Sequence, residues 1–161
     1  MARHKKGNNP VQRGPSPDDP YDVFYFRRHV ADDPKQSIPA RDEIDTWDDE
    51  AVVARVRAVL MAVAGAPPLR FSGGGMWEAM KKEMSGYHEV RVRKNKKLYR
   101  VFCRLDSSPV IDARGTRHPK NVLVIIAAGV KPNDSVFTPA YYEEVRSLGN
   151  EYLGRTPRSW A

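Results

Sequence analysis

A period-two pattern of apolar and polar residues on either side of a short basic turn is the strongest pattern in this chain. GYHEVRV, from Gly86 to Val92, and KLYRVFCRLD, from Lys97 to Asp106, both follow a period of two, which predicts two half-buried strands. With Lys94 to Lys97 as the turn, Arg93 falls opposite Leu98, Arg91 opposite Arg100 and Glu89 opposite Phe102. Glu89, Arg91, Arg93, Leu98, Arg100, Phe102 and Arg104 then share one face, with Glu89 diagonal to Arg100. His88, Val90, Val92, Tyr99, Val101, Cys103 and Leu105 share the other. NVLVIIAAG, from Asn121 to Gly129, is apolar on both faces and predicts a central strand that completes a three-strand meander.

The remaining elements follow from period and punctuation. YDVFYFRRH, from Tyr21 to His29, has strand composition with apolar residues on both sides, so an interior strand is expected. Val30 to Ala40 holds Pro34 and Pro39 and reads as a loop. Thr46 can cap a helix whose first turn holds Asp48, Asp49 and Glu50, where the dipole favours acids. Val52, Val53, Val56, Val59, Leu60 and Val63 form its apolar stripe. Gly65 and the Pro67-Pro68 pair end it, and a start near Arg41 would add Ile44 and Trp47. Phe71 to Gly75 is a glycine-rich break, and Met76 to Met84 predicts a second short helix. No Lys-Ser/Thr follows the glycines and no strand precedes them, so neither nucleotide-loop fingerprint is met. Ser107 to Lys120 is a polar loop. Thr138 and Pro139 open a closing helix that runs to Leu153, with Tyr142, Val145, Leu148 and Leu153 as candidates for its core face and Gly154 as its end. The expected fold is α+β: a small antiparallel-rich sheet of one N-terminal strand plus the meander, with helices packed on it. Residues 1–20 read as a disordered basic arm, 21–154 as a single domain and 155–161 as a tail.

Charge sharpens this picture. The net charge is +7 over 161 residues, and it is unevenly spread. Gly86 to Pro132 holds eleven Lys/Arg against three acids, a balance of +8, whereas Tyr21 to Gly65 holds six against nine, a balance of −3. Like charges directly across a ladder weaken a sheet, so the Arg91–Arg100 pair calls for a reason other than stability. A phosphate-rich partner supplies one; a solvated basic face is the bland alternative. The single cysteine, Cys103, has inward parity and reads as a structural thiol. With no disulfide, no apolar run of membrane length and no apolar segment behind the basic N-terminus, a cytoplasmic protein with no membrane partner is expected. His4, His29, His88 and His118 are isolated, so neither a metal nor another cofactor is expected. No Gly-x-Ser-x-Gly elbow is present, and no carboxylate pair lies in the basic region.

The candidate chemistry therefore rests on Arg91 and Arg100, flanked by Arg93 and Arg104, with Glu89 and Lys131 nearby. RNA brings its own nucleophile, the 2′-hydroxyl. Cleavage then needs alignment of that hydroxyl with the phosphorus and stabilisation of the extra negative charge, a task for cations. Glu89, Lys131 or a C-terminal tyrosine could supply an acid/base pair, worth roughly 10²–10⁴-fold. Arg93, Arg104 and the turn residues Lys94, Lys96 and Lys97 are candidate RNA-binding cations. The competing reading is a Glu89–Arg100 surface ion pair worth about 0–1 kcal/mol.

The order of these motifs resembles the RelE/ParE superfamily of type II toxins, in its phage-derived Gp49-like, HigB-type branch. The resemblance spans Tyr21 to Leu153. It rests on Tyr87-His88-Glu89-Val90-Arg91, on Tyr99-Arg100-Val101-Phe102, on VLVIIAAGVKP through Lys131, and on Thr138-Pro139. It implies a metal-independent, ribosome-dependent mRNA endonuclease, with mRNA and the ribosome as partners and a cognate antitoxin, of helix-turn-helix type, as inhibitor. Arg91, Arg100 and Lys131 match the family's basic catalytic cleft. The family's common Lys-Lys after the last strand is Lys131-Pro132 here, and Tyr141, Tyr142 and Tyr152 are the candidates for its C-terminal tyrosine or histidine. A ParE-type gyrase inhibitor and a noncatalytic nucleic-acid-binding module of phage or mobile-element origin are the alternatives.

Overall fold

The structure, a computed structural model, describes residues 16–66 and 75–161. Residues 1–15 of the expected arm, the Pro67-Pro68 stop and most of the glycine break lie outside the described residues. Five strands form one mixed sheet in the order β1-β5-β4-β3-β2: β1 (Tyr21–Tyr25), β2 (Trp77–Ala79), β3 (Tyr87–Lys94), β4 (Lys97–Asp106) and β5 (Asn121–Pro132). β1 runs parallel to β5, and every other pairing is antiparallel. Among the described residues three α-helices complete an α+β fold: α1 (Pro39–Ile44), α2 (Glu50–Gly65) and α3 (Pro139–Gly154).

The β3–β4 register is the one the alternation predicts, with Arg91 opposite Arg100 and Glu89 opposite Phe102. The loop is tighter than expected. Lys94 pairs with Lys97, and only Asn95 and Lys96 turn, at φ of 50° and 62°. Two successive positive φ values match the right-handed twist of the flanking strands, and asparagine tolerates the first at low cost.

Both faces of the sheet are covered. Val90, Val92, Tyr99, Val101, Cys103, Leu123 and Ile125 pack with α1 and α2 in one core layer. Tyr87, Phe102, Val124 and Ile126 pack with Val145 and Tyr152 of α3 in the other. Within α2, Val52, Val56, Val59, Leu60 and Val63 are buried. Each such side chain is worth about 1.5–3 kcal/mol, which outweighs the few tenths of a kcal/mol that each β-branched residue costs a helix. Gly149 lets α3 approach the sheet: a Cβ there would collide with the hydroxyl of Tyr87.

Several expectations are corrected. Trp77 to Ala79 is a strand, not helix; Trp77 pairs with Val90 and is wholly buried, and only Lys82–Met84 makes a single 3₁₀ turn. Asp49, not Thr46, caps α2, accepting from the backbone N–H of Ala51 and Val52 at 3.1 and 3.2 Å. Thr46 instead donates its hydroxyl to the Glu43 carbonyl at 2.6 Å. β1 is an edge strand, not an interior one. It is apolar on both sides because both core layers reach it, and the C-terminal residues cover its edge. Tyr25 exchanges backbone hydrogen bonds with Ala161, and Phe26 bridges Trp160. Residues 155–161 are thus part of the domain, pinned by Arg155 to Asp32 and by Arg158 to Asp106. Asp19, within the expected arm, is buried. Leu153 is exposed, and Tyr152 takes the core position, donating its hydroxyl to Asp106 at 2.6 Å.

Candidate nucleic-acid interface

Parity along three adjacent strands brings Glu89, Arg91 and Arg93 of β3, Leu98 and Arg100 of β4, and Lys131 of β5 to one face near the β3–β4 turn. Arg100 pairs with Gly129 and Leu98 with Lys131, so β5 carries its lysine beside the arginines. Gly129 is needed there. The Tyr141 hydroxyl donates to the Ala128 carbonyl at 2.9 Å, and a Cβ on Gly129 would meet that tyrosine.

The two arginines differ in exposure. The Arg91 side chain is 39% exposed and that of Arg100 8%. The open pair of guanidinium groups expected from the register is therefore not what forms. Arg100 turns back, donating from Nη1 to its neighbour's carbonyl at Tyr99 (3.1 Å). Burial lowers its pKa against the opposing pull of Glu89. Glu89 lies between the arginines, with Oε1 3.7 Å from Arg91 Nε and Oε2 3.7 Å from Arg100 Nε. Arg91 also donates from Nη1 to Glu78 of β2, a residue that sequence reasoning placed on a helix and so left out of the site. Arg93 donates to Asn133, just beyond β5.

Burial and neighbouring charge move the pKa values of two groups toward each other. Desolvation raises the Glu89 carboxyl even though Arg100 and Arg91 oppose it. Desolvation, followed by the repulsion of Arg100, lowers the Lys131 ammonium. Lys131 Nζ donates to the Ser135 carbonyl at 2.7 Å and lies 5.3 Å from the centre of the Phe137 ring. Tyr142 of α3 lies within the electrostatic reach of Glu89, Arg100 and Arg91, and burial raises its phenol. Of the three candidate tyrosines, Tyr141 and Tyr152 have their hydroxyls committed to Ala128 and Asp106; Tyr142 faces the cluster. Beside it runs a groove of 520 Å³ lined by Met80, Met84, Phe137 and Tyr142 together with the charged Lys81, Lys82, Glu83 and Arg146.

The other candidate cations are scattered. Arg104 lies four residues along β4 from Arg100, about 13 Å, beyond the buried Phe102, with its guanidinium over the Tyr87 ring at 4.7 Å. Lys94 ion-pairs with Asp49 at the start of α2. Lys96 and Lys97 are exposed at the turn. His88 stacks on Trp77 at 4.9 Å between ring centres, and burial lowers its pKa. Burial likewise raises the Cys103 thiol. Among the described residues no group of three His, Cys, Asp or Glu could hold a metal ion, and no helix is long and apolar enough to cross a membrane. The chain matches no family model, no curated protein and no solved structure.

Proposed function

We propose that this protein is the toxin of a type II toxin–antitoxin pair, a metal-independent endoribonuclease that cuts mRNA on the ribosome and is held in check by a cognate antitoxin. The observation that carries the reading is the convergence of Glu89, Arg91, Arg100 and Lys131 on one sheet face. The order of motifs from Tyr87 to Pro139, which resembles the RelE/ParE superfamily, supports it.

In this reading Glu89 takes the proton of the ribose 2′-hydroxyl as that oxygen attacks the adjacent phosphorus. Lys131 returns a proton to the departing 5′-oxygen, leaving a cyclic phosphate on one fragment and a 5′-hydroxyl on the other. A raised carboxyl and a lowered ammonium suit those two tasks, because a proton-transfer group works best with its pKa near the working pH. Arg91, the more exposed guanidinium, neutralises the charge that builds on the phosphoryl oxygens. Arg100 is a positioning residue: it holds Glu89 from behind. The aromatic groove beside Tyr142 suits bases splayed from a single strand, which proteins stack on such rings.

Induced expression with mapping of transcript 5′ ends tests the proposal. Growth arrest with new 5′-hydroxyl ends inside coding regions is expected; arrest with intact mRNA and broken DNA would assign the protein to gyrase inhibition. The burial of Arg100 and the double engagement of Arg91 by Glu78 and Glu89 favour one second reading, a noncatalytic nucleic-acid-binding module. That reading expects no arrest at all.

A further inference from the structure

A second cavity lies at the far end of the sheet from the arginine cluster, where the C-terminal residues cross the loops that follow β1 and β4. Its volume of 530 Å³ falls within the roughly 300–1,000 Å³ of small-molecule sites. Arg27, Arg155, Arg158, His118, Ile111 and Trp160 are among the residues that line it, and no lining residue is a carboxylate. Nothing in the proposed ribonuclease chemistry uses any of them.

The arginines are held from behind. Arg155 commits Nε and Nη2 to Asp32 at 3.0 and 2.7 Å. Arg158 commits Nε to Asp106 at 3.1 Å and Nη1 to the carbonyls of Leu153 and Arg155. Among the described residues Nη1 of Arg155 and Nη2 of Arg158 donate no hydrogen bond, which leaves them for a ligand. A lattice that served only to pin the tail would have no use for Arg27, which forms no salt bridge among the described residues. Its backbone N–H donates to Ser159 at 3.4 Å, which fixes the base of its side chain against the same segment.

The apolar side of the cavity is equally fixed. Trp160 lies flat on Phe24, 5.0 Å between ring centres and 4° from parallel. The backbone bridge to Phe26 sets its depth. Asp22 holds His118 Nε2 at 2.6 Å, and the imidazole meets the Trp160 ring edge-on at 5.9 Å. A carboxylate partner fixes an imidazole's orientation and tautomer. Fixed guanidinium forks recognise phosphate oxygens, and an indole offers a stacking surface to any base.

We propose that this cavity binds a nucleotide through its phosphate ester, with the phosphate against Arg27, Arg155 and Arg158 and the flat base on the Trp160 and Ile111 side. The phosphate comes either from a free mononucleotide or from the 5′-phosphorylated end of an RNA strand. Two-dimensional NMR of the full chain reads the Trp160 indole N–H, assigned with Trp160→Phe, during titration with AMP and with short 2′-O-methyl RNAs that carry or lack a 5′-phosphate. The methylated strands cannot be cut, so the readout is independent of the proposed ribonuclease. AMP is expected to shift the indole signal and to bind Arg27→Gln roughly tenfold or more weakly, with the melting temperature unchanged. Competition with AMP by the 5′-phosphorylated strand alone identifies the RNA end as the source; binding of AMP alone identifies the free nucleotide. No indole shift with either phosphate at about millimolar concentration, or equal binding by Arg27→Gln, overturns the proposal and leaves the ribonuclease reading untouched.

Discussion

Glu89 bridges Arg91 and Arg100, one carboxylate oxygen 3.7 Å from the Nε of each. The two residues are directly opposed on the β3–β4 ladder, an arrangement that like charges disfavour. The shared carboxylate offsets the repulsion, and it gives the arginines unequal positions. Arg91 faces solvent and a second carboxylate, Glu78; Arg100 is enclosed, with Glu89 as its one acid partner among the described residues.

The two alanine variants are therefore expected to behave differently. Arg91→Ala removes a half-exposed group and is expected to cost within about 1 kcal/mol of stability while abolishing growth arrest. Arg100→Ala removes a buried group, but Glu89 keeps Arg91. A loss of about 1–3 kcal/mol is expected, below the roughly 3–5 kcal/mol seen when a buried charge is left alone. Chemical denaturation beside induced toxicity reads both. Equal stability losses would mean that Arg100 is no better enclosed than Arg91.

Under the proposed ribonuclease reading, cleavage should be bell-shaped in pH. The rate rises as Glu89 loses its proton, above the ordinary glutamate range because burial raises its carboxyl. It falls as Lys131 loses its proton, below the ordinary lysine range because burial and Arg100 lower its ammonium. Glu89→Gln should flatten the acid limb and Lys131→Met the alkaline limb, each lowering the plateau roughly 10²–10⁴-fold. For stability the Glu89 sign is separate. A folded carboxyl raised above its unfolded value contributes fully below the unfolded pKa, and that contribution is lost as pH rises through the folded one. Retention of both limbs in either variant would remove that residue from the proton transfers.

Much of this arrangement was legible in the sequence. Alternation fixes the faces of β3 and β4, and a basic turn closing around Asn95 fixes their register, so Arg91 meets Arg100 without any knowledge of the rest. The identity of β2 was hidden because Met76 to Met84 is rich in helix formers. Pairing with Val90 buries Trp77 and overrides that propensity. The burial of Arg100 was hidden for a different reason. Arg100 folds back onto the Tyr99 carbonyl and under Glu89, and strand parity reports which face a side chain takes but not how deeply it is enclosed. The tail was missed because its hold on the domain is a short run of backbone hydrogen bonds to Tyr25 and Arg27 about the Phe26 bridge, an indole stack on Phe24 and arginine contacts to Asp32 and Asp106, none of them periodic.

Gly149 and Tyr87 should be coupled. Gly149→Ala gains about 1 kcal/mol of helix propensity but drives a methyl group into the Tyr87 hydroxyl, and overpacking costs about 1–3 kcal/mol. A net loss is expected because Tyr87 is itself buried and has little room to move. Tyr87→Phe deletes the closest colliding atom but keeps Cζ, 2.8 Å from the new methyl, so the double variant should recover part of that loss. A double-mutant cycle by denaturant titration measures the coupling, and strict additivity would show that α3 can shift away from the sheet at little cost.

Asp33 should dominate the acid sensitivity of the loop before α1. Its carboxylate accepts the Ser37 hydroxyl at 2.6 Å and the backbone N–H groups of Ser37 and Lys35 at 3.0 Å. The Ser37 hydroxyl, then its N–H, then that of Lys35 hold the carboxyl down to about 2, against an ordinary 3.8. A pKa depressed in the folded state contributes stability that is complete above the unfolded value and is lost as pH falls through the folded one. The window is thus roughly pH 4 down to 2. Asp33→Asn should lower stability at neutral pH and flatten its fall across that window, as read by urea midpoints at stepped pH. An unchanged acid limb in the variant would mean that the loop's hydrogen bonds persist with the carboxyl protonated, and that other carboxylates carry the acid transition.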